Sequence, residues 1–169
     1  AIRILEGASA SLDTRGRIAL ARAYWAASYP YAMGPDSNRA LALMERAHLD
    51  AAGTPEAKAA SIEFCSMLMG AGRVRDASRI LDELEDSPDK FTRLDAAVLK
   101  AASLNRQGSY DDAYAELRGI GPVESIPEQL RQPYSATLAD THLGLNDFAR
   151  ALELYRQTLA LGSAWARTD

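Results

Sequence analysis

The sequence predicts an all-α protein, a solenoid of antiparallel helical hairpins, on three observations. Alanine is the commonest residue, with 32 copies among 169; it is the best helix former and lets helices approach closely. β-branched residues are sparse, and no stretch alternates apolar and polar residues with the period of two that a strand needs. A helix-breaking residue also recurs at a near-constant distance, followed each time by a new helical pattern.

That third observation carries the most weight. The stretches MLMGAGRVRDASRIL from Met67, SLNRQGSYDDAYAEL from Ser103 and THLGLNDFARALELY from Thr141 overlay without gaps. Each has a breaker (Gly72, Gly108, Asn146), an apolar anchor two residues on (Val74, Tyr110, Phe148) and a small residue three further (Ala77, Ala113, Ala151). Four residues later comes a large apolar residue (Leu81, Leu117, Tyr155). A weaker copy, SNRALALMERA, puts Ala40 at the small site, Met44 at the large site and Ala47 a turn later. The four small sites stand 37, 36 and 38 residues apart. Glycine and asparagine tolerate the left-handed backbone that ends a helix. A second helix that restarts at once must fold back on the first. The small residue marks the close approach, the anchor plugs the turn, and the large residue shares the small residue's face. One hairpin cannot bury its apolar stripe alone; stacked hairpins bury a continuous core.

The remaining elements follow in chain order. Asp13-Thr14 caps a helix running to about Ser28. Thr54-Pro55-Glu56 starts another, with a cap, a proline in the first turn and an acid near the dipole. Ser87-Pro88-Asp89 starts the next first helix. GIGPVESIP, from Gly119 to Pro127, is the longest break between the clear copies and accounts for the spacing of 38. Pro133 falls early in the following helix or kinks it.

On these residues the chain resembles the tetratricopeptide repeat family. Gly108, Tyr110 and Ala113 fall on the family's turn and small-residue sites. Leu138-Ala139 stands at its Leu-Gly pair, followed by Asn146, Phe148, Ala151 and Tyr155. Phe64, Cys65 and Leu68 fill a first helix ahead of Gly72 and Ala77. The first copy has a longer loop between its helices and resembles the Sel1-like relative of the family, with a charged Arg39-Ala40 and a closing Ala51-Ala52-Gly53. The spacings exceed the family's usual period of about 34, and its tryptophan and terminal proline are missing from most copies. The resemblance implies a right-handed superhelix forming one repeat domain over 1–169, with repeats at about 16–53 (Sel1-like), 54–87, 88–121 and 127–162. A further repeat would begin within 163–169, where Ser163 caps a helix that carries Trp165.

The chemistry of the chain excludes more than it proposes. The net charge is -4 with both signs interleaved, so nucleic acid finds no basic block to grip. No apolar run approaches the roughly 18 residues of a membrane helix. The single cysteine, Cys65, lies in the apolar run SIEFCSMLM and reads as a small buried hydrophobe that forms no intrachain disulfide. The chain opens on Ala1 with no methionine and no signal-like segment, as expected of a processed or partial chain, from which any targeting information would have been cut away. No metal-binding, phosphate-cradling or nucleophile-elbow spacing occurs. His48 and His142 are isolated, Asp111-Asp112 suit a helix N-terminus, and the acidic LDELEDSPD from Leu81 reads as a solvated helix end. We expect no catalytic residue, no cofactor and no metal.

Surface is what remains. In the family the first helices line the concave face, which here implies Ala59, Ile62, Ser66 and Met69, then Val98, Ala102 and Asn105, then Ala136, Asp140 and Leu143. This set is small and apolar and lacks the Lys/Asn clamp for a peptide carboxylate, so an apolar segment or helix is the expected occupant. A second candidate is AYWAASYPYAM, where Tyr24, Trp25, Tyr29 and Tyr31 form an aromatic anchor; the competing reading puts Tyr24 in the core. The expected function is a non-enzymatic scaffold that binds another protein or peptide, with self-association as a further expectation. Mixed Sel1-like and tetratricopeptide arrays resemble periplasmic scaffolds of bacterial exopolysaccharide secretion, which favours the cell envelope slightly over the cytoplasm. The alternative is a ligand- or peptide-responsive regulatory domain of a larger signalling or transcription protein.

Overall fold

A computed structural model of the chain describes residues 12–28 and 34–165. Among them there are eight α-helices and no strand: α1 Thr14–Ser28, α2 Pro35–Asp50, α3 Ala57–Gly70, α4 Val74–Glu85, α5 Lys90–Gln107, α6 Tyr110–Ile120, α7 Glu128–Gly144 and α8 Phe148–Trp165. A 3-10 turn, Val123–Ser125, fills the break before α7. Two compact units divide the chain, Ala1–Asp82 and Glu83–Asp169, with the division inside α4.

The three predicted elbows share one backbone conformation. Gly72, Gly108 and Asn146 have φ of 76°, 79° and 64°, the left-handed region that asparagine enters more readily than other non-glycine residues. At each elbow the next amide reaches back five residues: Arg73 N to Leu68 O at 2.8 Å, Ser109 N to Leu104 O at 3.0 Å, and Asp147 N to His142 O at 2.9 Å. These bonds close the carbonyls left open at a helix end. The small sites are likewise as expected: Ala40, Ala77 and Ala113 are fully buried and Ala151 nearly so. Leucine in place of Ala113 should overpack this crossing and cost about 1–3 kcal/mol. A thermal melt checks it, and an unchanged midpoint would show that the repeat register is wrong.

The anchors behave less uniformly. The ring of Tyr110 lies over Gly144, where a Cβ would come within 2.2 Å of it. Phe148, expected to plug the last elbow, is 62% exposed instead. Tyr155 is only half-buried at the last large site, and Leu154 fills the core beside it.

In the first unit the register of α1 on α3 is written in ion pairs. Arg15 reaches Glu56 and Arg22 reaches Glu63, both at 2.7 Å. Both partners lie 41 residues on, so the two first helices run parallel. Arg17 also pairs with Asp50 at the end of α2. Leu20, Tyr24, Met44, Phe64 and Leu68 form the apolar interior. Asp13 caps α1 as expected, accepting from Gly16 N at 2.8 Å. The expected Thr54 cap does not form. Thr54 Oγ1 donates to Ala51 O at 2.7 Å, and α3 begins after Glu56; the threonine stabilises the preceding turn instead.

In the second unit Asp89 caps α5, accepting from Thr92 N at 2.9 Å. Val98, Ala101, Ala113, Leu117, Ile126, Leu130 and Tyr134 form one core. Pro133 sits inside α7. Tyr134 Oη donates to Gly121 O at 2.7 Å and ties α7 to the end of α6; burial raises its pKa above the ordinary value.

Candidate interaction surfaces

The first-helix positions separate into open, buried and internally bonded groups. On α3, Ala59 and Ser66 are exposed and Ile62 partly so. Met69, expected beside them, is 4% exposed and belongs to the core. It stands three residues beyond Ser66, roughly 60° short of a full turn, enough to carry it from the open side into the packing. On α5, Ala102 is half-exposed, but Val98 is 2% exposed and sits in the core of the second unit. Both residues are corrections to the expected groove.

Asn105 is a correction of another kind. It is partly exposed, yet its amide is used inside the protein. Nδ2 donates to Thr137 O and to Thr141 Oγ1, both at 3.0 Å, and Thr141 Oγ1 lies 3.1 Å from Oδ1. The side chain is a latch between α5 and α7 and leaves little to offer a partner. On α7, Ala136 is half-exposed and Asp140 and Leu143 are exposed. Tyr155 of α8 donates to Asp140 Oδ1 at 2.5 Å. Partial burial, with the Asp140 bond second, pushes the Tyr155 phenol up to about 12, so it remains a donor.

The aromatic segment splits in the same way. Tyr24 is core at 6% exposure, with Arg39 over its ring at 5.8 Å. Trp25 packs over Gly70, where a Cβ would fall 2.5 Å from the indole. Both serve the fold of the first unit rather than an interface. Tyr29 and Tyr31 lie outside the described residues.

Both histidines have partners within the fold. His48 Nδ1 meets Ser61 Oγ at 3.0 Å and its ring packs on Phe64. His142 Nδ1 meets Asp147 Oδ2 at 3.1 Å and its ring stands edge-on to Tyr114. Cys65 is fully buried. The acidic end of α4 is partly neutralised, with Glu85 2.6 Å from Lys100. Asp95, half-buried on α5, has a carboxyl pushed up to about 6 by burial. Among the described residues no three or more His, Cys, Asp or Glu side chains gather as a metal site, and no helix is long and apolar enough to cross a membrane.

One surface was named in the sequence reading only at Leu143. Leu143, Phe148, Leu152 and Leu159 are 46%, 62%, 52% and 74% exposed, so four of the six exposed large hydrophobics among the described residues lie in the α7–α8 hairpin. The spacing of Phe148, Leu152, Tyr155 and Leu159 was visible, but a helical stripe looks the same whether or not another helix covers it.

The sequence matches no family model and no curated protein. The fold does have a counterpart among solved structures: a crystal structure of kinesin light chain nearly identical tetratricopeptide-like repeats from Podosopora anserina. The likeness has a TM-score of 0.66 at 19% identity and covers 98% of this chain and 87% of that one. The chain therefore has a tetratricopeptide-like fold, an all-α array of helical hairpins.

Proposed function

We propose that this protein is a non-enzymatic scaffold that holds another protein or peptide segment against its first helices. The observation that carries this reading is the open, weakly polar face that the first helices show within each unit taken by itself. Ala59, Ile62 and Ser66 present it in the first unit, and Ala102, Ala136 and Leu143 in the second. Small side chains let a partner backbone come close, and an apolar segment gains free energy by leaving water for such a face. The tetratricopeptide-like fold supports the same reading by analogy of architecture. Within this class we favour a component of a bacterial cell-envelope assembly of the exopolysaccharide-secretion kind, on the Sel1-like character of the first repeat. The second reading is a regulatory domain that senses a peptide or small ligand.

The test is co-purification from the native host at natural protein level, with cell fractionation. Ala59→Arg combined with Ser66→Arg should leave the melting midpoint within about 2 °C, since both sites are exposed on α3, and should remove the co-purifying protein. A partner retained by this variant sinks the first-helix assignment. A cytoplasmic protein joined to an output domain, stabilised by a small ligand, favours the regulatory reading instead.

A further inference from the structure

We propose that α8 is the contact helix of a homodimer, packed antiparallel against α8 of a second copy across a two-fold axis. It shares Leu143 of α7 with the partner reading above and otherwise rests on α8 rather than on the first helices.

The inference starts from how this protein covers its own hairpins. In the second unit α7 packs against both α5 and α6. Tyr110 of α6 meets Gly144 of α7, and Asn105 of α5 meets Thr137 and Thr141. The α5–α6 hairpin thus takes a helix on this face. One repeat later, Leu143 stands at the position of Asn105 and Phe148 at that of Tyr110, 38 residues on in each case. The face is the same, its latch is now apolar, and it is open: Leu143 and Phe148 are among the most exposed large hydrophobics described.

A second copy of α8 has the chemistry to cover it. Phe148, Leu152, Tyr155 and Leu159 follow one another at steps of four, three and four, which reads the same in both directions. An antiparallel copy therefore sets Phe148 against Leu159 and Leu152 against Tyr155, twice, as a two-fold interface requires. The residues beside the stripe raise no objection. On one side Ala151 is already buried in its own hairpin, and on the other Arg156 would face Ala149 rather than another charge. Arg150 turns to Glu153 on its own helix at 2.5 Å. The area covered is on the order of 1,000 Å² in total, the small end of specific interfaces. A weak dimer is expected, with a dissociation constant of roughly 10 μM or above.

Sedimentation equilibrium from about 5 to 200 μM brackets that range and should show monomer passing to dimer. Leu152→Glu sets two buried carboxylates near the axis and should weaken association roughly 100-fold or more with an unchanged circular dichroism spectrum. Leu159→Lys is the second variant should the first disturb the fold. Mixing Ala149→Cys and Arg156→Cys chains should give a cross-linked pair that neither variant forms alone, because only the antiparallel arrangement brings these positions together. The proposal is overturned by a monomer across the range, by a dimer that survives both charge variants, or by cross-linking within one variant alone. It also fails if the protein at its full natural length is monomeric while the 169-residue chain dimerises, since the face is then covered within one polypeptide.

Discussion

Val98→Glu should unfold the second unit rather than weaken a binding face. Val98 is 2% exposed, among Ala101, Ala113, Leu117 and Leu130. A carboxylate there loses its hydration among apolar neighbours, and protonating it still leaves a buried polar group and an overpacked site. The expected loss is about 4 kcal/mol or more, a large share of the 5–15 kcal/mol that typically holds a domain together. Helical signal at 222 nm and a urea titration at neutral pH read it directly. Met69→Glu should do the same to the first unit. Val98→Ala, which removes two methyl groups and adds no charge, should cost roughly 2 kcal/mol. A folded Val98→Glu protein with a near-native midpoint would return this residue to the groove.

The second large effect is expected at Gly144. Alanine is normally the better helix residue by about 1 kcal/mol. Here its Cβ would stand 2.2 Å from the ring of Tyr110, well inside van der Waals contact. The ring must leave its place over α7, and the α6–α7 contact opens with it. Gly144→Ala should therefore destabilise by about 1–3 kcal/mol despite its helix propensity. In a Tyr110→Ala background the clash is gone, and the same substitution should become neutral or stabilising. That change of sign in a double-mutant cycle separates a steric contact from a general effect on α7. Equal costs in both backgrounds would place the penalty elsewhere.

The two predictions mark where sequence reasoning held and where it stopped. The elbows were legible because their signal is local: a left-handed residue, a helix end and a restart all lie within a few positions. The same holds for Asp13 and Asp89, whose caps act on amides three residues away. Thr54 shows the limit of even this rule, since its hydroxyl had a nearer acceptor in the turn before it.

Site residues were harder, because a first helix of these hairpins has apolar residues on more than one side. Met69 and Ser66 stand one turn apart, yet one is core and the other open. Asn105 read as a polar group in a groove, but its bonding partners lie 32 and 36 positions further along the chain. Trp25 reads as part of an aromatic anchor, but Gly70 makes room for it within the fold, while Tyr24 takes the core place that the competing sequence reading gives it.

The sequence by itself determined that this is an array of helical hairpins, where each elbow falls and which alanines lie at the crossings. These depend on backbone conformations and spacings that a few neighbouring residues set. Only the tertiary structure decided which first-helix side chains are open and that the Phe148 stripe lies uncovered. Burial depends on what packs against a helix, and those neighbours are some 40 residues away.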